Sequence, residues 1–215
     1  MKATLLTVFV AIAQLNAENP KQLLTRIECR YISPEIQPES FAAKPKIFYI
    51  GGTTYFRAEE QPDPPLGIHG LIVITEPDIW IVNLITHTAQ HSIDPGPTFN
   101  IHHPIFDHNA PKEFSTLEFG RESEFFSSHH ATSLPPRSLE GQRCEASEFT
   151  YADYRIVLYT RVETQKPFHL DVFRDDKPYF SYRYLSYETD LPFDANLFRP
   201  PNGIRIVEAK PSNSK

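Results

Sequence analysis

A mainly β fold of the α+β class, an antiparallel sheet with minor helix, is what three features of this sequence predict. First, 20 prolines, 16 phenylalanines and 10 tyrosines against 8 glycines suit strands and stiff loops better than helices. Second, Lys46 to Ala58 (KIFYIGGTTYFRA) sets two aromatic and β-branched runs on either side of Gly51-Gly52, the residues that a tight primed hairpin turn prefers. Third, Leu71 to Asp94 reads as a three-stranded meander, with strands at Leu71 to Thr75, Ile79 to Leu84 and Thr88 to Asp94, and turns at Glu76-Pro77-Asp78 and Ile85-Thr86-His87. In that meander Leu71 and Val73 fall on one face and Ile72 and Ile74 on the other, and Ile79 and Ile81 oppose Trp80 and Val82 in the same way. Both faces must be covered, by the protein's own segments, by a partner, or by an apolar ligand.

The chain opens with a basic residue at Lys2, an apolar run from Ala3 to Leu15 and a small residue at Ala17 before polar sequence, the pattern of a cleavable secretory signal over residues 1–17. The apolar run is shorter than the roughly 20 residues that span a bilayer, and no later stretch is long and apolar enough, so a soluble product released to the periplasm, or to the medium, is expected. No cysteine follows the cleavage site directly, and the nearest is Cys29. The remaining 18–210 is long enough for one domain with a sizeable core, followed by a polar tail at 211–215. Loss of the signal removes Lys2 and no acid, taking the formal charge from -6 to -7, which argues against a nucleic-acid backbone as partner. Cys29 and Cys144 are the two cysteines of a chain bound for an oxidising compartment. They are read as either a disulfide or a pair of buried thiols; the closed loop would add roughly 4 to 5 kcal/mol in a chain-entropy account.

In chain order, Lys21 to Ile32 reads as a short helical turn or as the first strand, with strand from Arg26 the favoured reading, in which Ile27 and Cys29 share a face. Pro34, Pro38 and Pro45 make the next stretch stiff and irregular. Glu59 to Gly70, with Pro62, Pro64 and Pro65, reads as a loop, as do the His-rich Ile101 to Ala110 and the segment His129 to Gln142 with Pro135-Pro136. Lys112 to Ser127 is the best helical candidate: Phe114, Leu117, Phe125 and Phe126 come at roughly helical spacing after Pro111, although Gly120 weakens it. Four strands follow, at Arg143 to Thr150, Tyr154 to Arg161, Pro167 to Arg174 and Pro178 to Glu188; in the third, Phe168, Leu170 and Val172 alternate with His169 and Asp171. Leu191 to Pro201 reads as an extended linker anchored by Phe193, Leu197 and Phe198, and Ile204 to Glu208 as a last edge strand. No period of 20 to 50 residues repeats, which excludes a solenoid or propeller.

The order of these motifs resembles the LolA-like family of outer-membrane lipoprotein carriers. The features that carry the resemblance are the signal peptide, a hairpin ending in Tyr55-Phe56-Arg57, the strand pair with Trp80, a mid-chain helical insert, further antiparallel strands and the ending from Leu191 to Gly203. The resemblance implies a curved antiparallel sheet, a half-barrel wrapped around one or more short helices, with an apolar concavity that in the carriers receives acyl chains. This chain has Gly52 and Thr53 where the carriers place an Arg-Pro pair, and 17–26 is shorter than their first helix. The implied function is therefore a secreted, non-enzymatic protein of the same fold that binds a lipid or lipoprotein acyl chain or another apolar ligand. The alternative is a periplasmic sensor or interaction module that binds no lipid and pairs with a periplasmic or outer-membrane protein.

Phe48, Ile50, Phe56, Leu71, Val73, Trp80, Val82 and Leu84 are the candidate cavity-lining residues, with ordinary core as the competing account of each. The histidines His102-His103, His108 and His129-His130 match no established metal signature, and His87 and His91 fall in a turn and a strand rather than on one helix face, so no metal and no cofactor is expected. There is no nucleophile elbow, no Gly-rich phosphate loop and no HExxH motif. Asp94, Asp107, Glu122 and Glu124 are read as solvated charge in loops and on a surface helix.

Overall fold

The structure is a computed structural model and describes residues 22–107 and 109–207. The signal read at 1–17, both ends of the expected domain, the tail and His108 lie outside the described residues. One curved, unclosed 12-stranded sheet dominates, in the order β12-β6-β5-β4-β3-β2-β1-β11-β10-β9-β8-β7. β1 (Leu23–Ile32), β2 (Lys46–Gly51), β3 (Tyr55–Glu60), β4 (Gly70–Thr75), β5 (Asp78–Asn83) and β6 (Thr88–Ile93) form one antiparallel meander. β7 (Thr132–Leu139), β8 (Gln142–Tyr151), β9 (Tyr154–Arg161), β10 (Pro167–Arg174) and β11 (Lys177–Pro192) form a second. The two are joined at a seam, where β1 pairs antiparallel with β11 from Leu23↔Pro192 to Ile32↔Ser181. β12 (Arg205–Ile206) closes one edge, parallel to β6.

Sequence expectation and structure agree on the hairpin, the meander and the four later strands, and differ in five places. β2 and β3 are joined by three residues rather than a two-residue primed turn: Gly51 pairs with Tyr55 inside the ladder, and Gly52 alone takes positive φ, +62°. The reason lies across the sheet, because a Cβ on Gly51 would stand 2.9 Å from the Phe193 ring. The helix expected over 112–127 is broken into a 3-10 turn at Lys112–Phe114 and α1 (Glu122–Ser128), with Gly120 at φ +89° between them. The loop expected over 129–142 contains β7, an edge strand whose exposed residues and central Pro135-Pro136 hide its alternation. The linker expected from Leu191 is shorter, since β11 runs to Pro192 and a 3-10 turn occupies Ala195–Phe198. β1 also begins three residues before Arg26.

The disulfide does not form. Cys29 and Cys144 are both free and both buried. Cys29 sits on β1 in the core of one sheet face and Cys144 on β8 in a cluster of its own, with β11, β10 and β9 between the two strands. Four strand spacings put the backbones roughly 19 Å apart, far beyond disulfide reach. Burial pushes the Cys29 thiol up to about 12.

The two faces are covered differently. The inner face carries residues 101–131, and its core joins Ile27, Ile156, Leu158, Leu170, Val172 and Tyr184 of the sheet to Phe106, Phe114, Leu117, Phe125 and Phe126 above it. The outer face of the first meander buries Leu24, Leu71, Val73, Val82 and Ala89 beneath Phe193, Leu197 and Phe198. There the Arg57 Nη1 donates to the Leu197 carbonyl at 3.2 Å and the Thr75 hydroxyl to that of Phe198 at 2.7 Å, fastening the C-terminal segment down. The outer face of the second meander buries Cys144, Ala146, Val157, Tyr159 and Phe168, with the Arg155 and Arg161 guanidiniums over Phe173 and Phe168 at 3.8 and 4.3 Å.

Two unpaired, buried thiols make a direct prediction. In denaturant without reductant, a thiol reagent should label both cysteines, while the native protein labels slowly and reductant leaves its unfolding midpoint unchanged; a chain that labels only after reduction would contradict the separation of β1 from β8.

Candidate functional site

Strand parity decides what the inner face offers. Facing pairs run Ile27↔Phe48, Phe48↔Ala58, Ile50↔Phe56, Ala58↔Ile72, Phe56↔Ile74, Ile72↔Ile81 and Ile74↔Ile79, one apolar row after another on the inner side of β1 to β5. Residues 101–119 cross above them and are tied down at intervals. The Ile101 N–H donates to the Thr53 carbonyl at 2.8 Å, and a short ladder pairs Phe119 N–H with the His103 carbonyl and Ile105 N–H with that of Leu117, both at 2.9 Å. Between this strap and the sheet lies a cavity of about 920 Å³. Its floor is Phe48, Phe56, Ala58, Ile72 and Ile81, its roof Ile105, Phe106 and Phe119, and its far wall Tyr31, Phe180 and Tyr182. Two floor residues remain open in the described structure, Ile72 at 37% and Ile81 at 53% exposure.

The eight residues expected to line a cavity are divided by the sheet. Phe48 and Phe56 are in the floor, and Ile50 packs beside them in the inner core. Leu71 touches the cavity wall, but it is buried with the outer cluster that also holds Val73 and Val82, with Trp80 and Leu84 packed against it. Trp80 is not among the residues lining this cavity; its ring stacks on His91 at 3.9 Å with the His91 Nε2 2.7 Å from Asp78 Oδ1. The single set implied by the sequence is therefore two sets back to back. Ile72 and Ile81 were legible as apolar positions, but nothing local to β4 and β5 marks which parity faces the strap.

The histidine-rich loop supplies part of the roof. His103 stacks on Phe56 with ring centroids 4.0 Å apart, and its buried Nε2 has no hydrogen-bond partner among the described residues. Burial, with His102 next to it, pulls its pKa down to about 4, so the ring is neutral at pH 7. His102 Nδ1 lies 2.6 Å from Glu118 Oε1, an ion pair when the imidazole is protonated, and the Glu118 side chain is almost wholly buried. His129 stacks on Phe125, with its Nδ1 2.9 Å from the Phe125 carbonyl oxygen. Among the described residues no three His, Cys, Asp or Glu side chains converge as a metal site.

Glu122 corrects the reading of it as solvated charge. It is fully buried at the start of α1, where Tyr184 donates to its Oε1 at 2.8 Å and Tyr187 to its Oε2 at 2.7 Å, both from β11. The Gly120 N–H donates to Oε2 at 3.1 Å, so the carboxyl group ties the short helix to the seam strand. Desolvation outweighs these bonds and raises its pKa. Its neighbours Tyr184, Tyr187 and Cys29 are pushed upward as well, chiefly by burial and secondarily by Glu122. The sequence signal that was available is the pair of tyrosines at 184 and 187, aromatic on a strand that must pack under a helix.

These two groups give pH dependences of opposite sense. Folded Glu122 holds its proton more tightly than the unfolded chain, so its contribution is full below its ordinary value of 4.5 and falls as pH rises through the folded pKa. Relative to Glu122→Gln, the wild type should lose stability in denaturant unfolding as the buffer is raised from pH 4.5 to 8; parallel curves would refute a titrating carboxyl group. Folded His103 holds its proton less tightly, so its contribution is present above 6.5 and lost as pH falls through about 4. His103→Phe keeps the stack on Phe56, and the wild type should lose up to about 3 kcal/mol relative to this variant between pH 6.5 and 4; an unchanged difference would place His103 in solvent.

No protein-family model and no curated protein matches this chain. Among solved structures, an uncharacterized conserved protein from Thermus thermophilus is similar at 11% identity and a TM-score of 0.47, over 88% of this chain and 91% of that one. A chain of the Pseudomonas aeruginosa MucA/MucB complex is similar at 10% identity and a TM-score of 0.44, over 87% of this chain and 59% of that one. A putative outer-membrane lipoprotein-sorting protein domain from Vibrio parahaemolyticus is similar at 10% identity and a TM-score of 0.32, over 83% and 90%.

Proposed function

We propose that this protein is an exported, non-enzymatic carrier or receptor for an acyl chain or similar apolar molecule, held between the inner face of β2 to β5 and the strap at 101–119. The observation that carries this reading is the cavity of about 920 Å³ floored by Phe48, Phe56, Ile72 and Ile81. A volume near the upper end of the range for small-molecule sites, lined mainly by apolar and aromatic side chains, suits an apolar occupant. Each buried methylene contributes about 0.8 kcal/mol. Association itself costs at least about 4 kcal/mol, so a chain of roughly ten methylenes is needed for useful binding. The exported location rests on the leader-like residues 1–17, and among the described residues no helix is long and apolar enough to cross a membrane.

The test is extraction of the protein from its native compartment followed by lipid mass spectrometry, together with titration of a fluorescent acyl ester. The wild type should yield a bound lipid or bind the ester, and Ile81→Asp, at a half-exposed floor position, should weaken ester binding at least tenfold while leaving the unfolding midpoint within a few degrees. Absence of lipid and of ester binding would defeat the reading, and a defined protein partner captured without detergent would favour an interaction module.

A further inference from the structure

The charges around the cavity are arranged in a way that bears on the ligand's end group, an inference that rests on the apolar-ligand reading. Among the described residues the lining holds two side chains with a permanent positive charge, and each is already matched: Lys46 Nζ lies 3.0 Å from Glu60 Oε1, and Arg174 Nε 2.8 Å from Asp153 Oδ2. The lining also holds the carboxylates of Glu60 and Asp107, while Glu59 has the outer parity of Arg57 and Leu71 and turns its side chain to the other face. Glu59 is met by Arg57 at 2.7 Å. Asp107 has no cation within ion-pair distance among the described residues, and its Oδ1 accepts only the Asn109 N–H, at 2.9 Å. His102 spends any positive charge on Glu118, and the buried His103 ring is uncharged at pH 7.

An anionic end group has no favourable place in such a cavity. Carried inward, it would lose its water beside aromatic rings and meet only cations that already hold a carboxylate partner. Beside the exposed Asp107 it would meet a like charge that no cation among the described residues offsets. An uncharged oxygen meets neither penalty.

We propose that the cavity selects acyl ligands whose end group is uncharged, such as an ester, amide or alcohol, and discriminates against the carboxylate of a free fatty acid. Asp107 is the specificity-determining residue for that choice, because it is the lining charge with no counter-ion among the described residues.

The experiment displaces a fluorescent acyl ester from the full chain with palmitate or with methyl palmitate at pH 8, for the wild type and for Asp107→Lys, which changes an exposed loop residue. The wild type should bind methyl palmitate at least tenfold more tightly than palmitate, about 1.4 kcal/mol. Asp107→Lys should strengthen palmitate binding severalfold and leave methyl palmitate unchanged. Palmitate bound as tightly as its ester by the wild type, or a palmitate-to-ester ratio unmoved by Asp107→Lys, would overturn the selectivity while leaving an apolar site standing. Binding of neither compound, with no displacement of the fluorescent ester, would instead remove the apolar-ligand reading and this proposal with it.

Discussion

The pairing of β1 with β11 is the constraint from which the rest of the architecture follows. Because the first strand and the last long strand sit side by side at the centre, the two meanders grow outward from them in opposite directions. β6 and β7 therefore end near opposite edges of the sheet, ten strand spacings or roughly 48 Å apart along its surface. The chain between them has to cross the whole sheet. Residues 94–131 make that crossing over the inner face, and they bring Phe106, Phe114, Leu117, Phe119, Phe125 and Phe126 with them. The cover that the apolar inner face needs and the connection that the topology needs are one segment.

The cover is uneven, and the unevenness makes the site. Over β9 to β11 the crossing segment packs closely, with α1 tied to the seam strand through Glu122, Tyr184 and Tyr187. Over β2 to β5 it stands off, held by the Thr53 carbonyl and by the stack of His103 on Phe56, and leaves the cavity beneath it. On the outer face of the first meander Phe193, Leu197 and Phe198 cover the sheet, and the Arg57 and Thr75 side chains hold their backbone in place.

What was legible in the sequence was the set of elements whose signal is local. The 46–58 hairpin and the 71–94 meander announce themselves through turn residues between β-branched runs, and the four late strands through alternation. β7 was hidden because it is an edge strand with six of its eight residues exposed and only Leu134 and Leu139 packed inward, too few to show an apolar period. The helix was overextended because Phe114 and Phe125 share a periodicity, while the break at Gly120 depends on a positive φ and on a Cβ there standing 3.2 Å from Ile50 Cδ1, a contact made across the sheet. The candidate site was half legible for a related reason. Strands apolar on both parities show that both faces are buried, but which parity meets the strap is fixed by the crossing segment, about twenty residues away in sequence. Glu122 was misread because a single acid in a polar run carries no mark of its two tyrosine partners more than sixty residues downstream.

The central seam also bears on how the chain reaches this state. Arg26 and Ser186, hydrogen-bonded across it, are 160 residues apart in sequence, so the middle of the sheet is its most non-local part. Contacts of that separation are slow to form, because loop closure must precede any gain from pairing. During emergence from a ribosome or a translocation channel, β1 to β6 would be complete while β1 still lacked its neighbour and Ile72, Ile74, Ile79 and Ile81 faced water. That intermediate has an open edge and a bare isoleucine surface, the two attributes of an aggregation-prone species. A holding factor during synthesis would protect it, which makes the isoleucine floor of the cavity a hazard in folding.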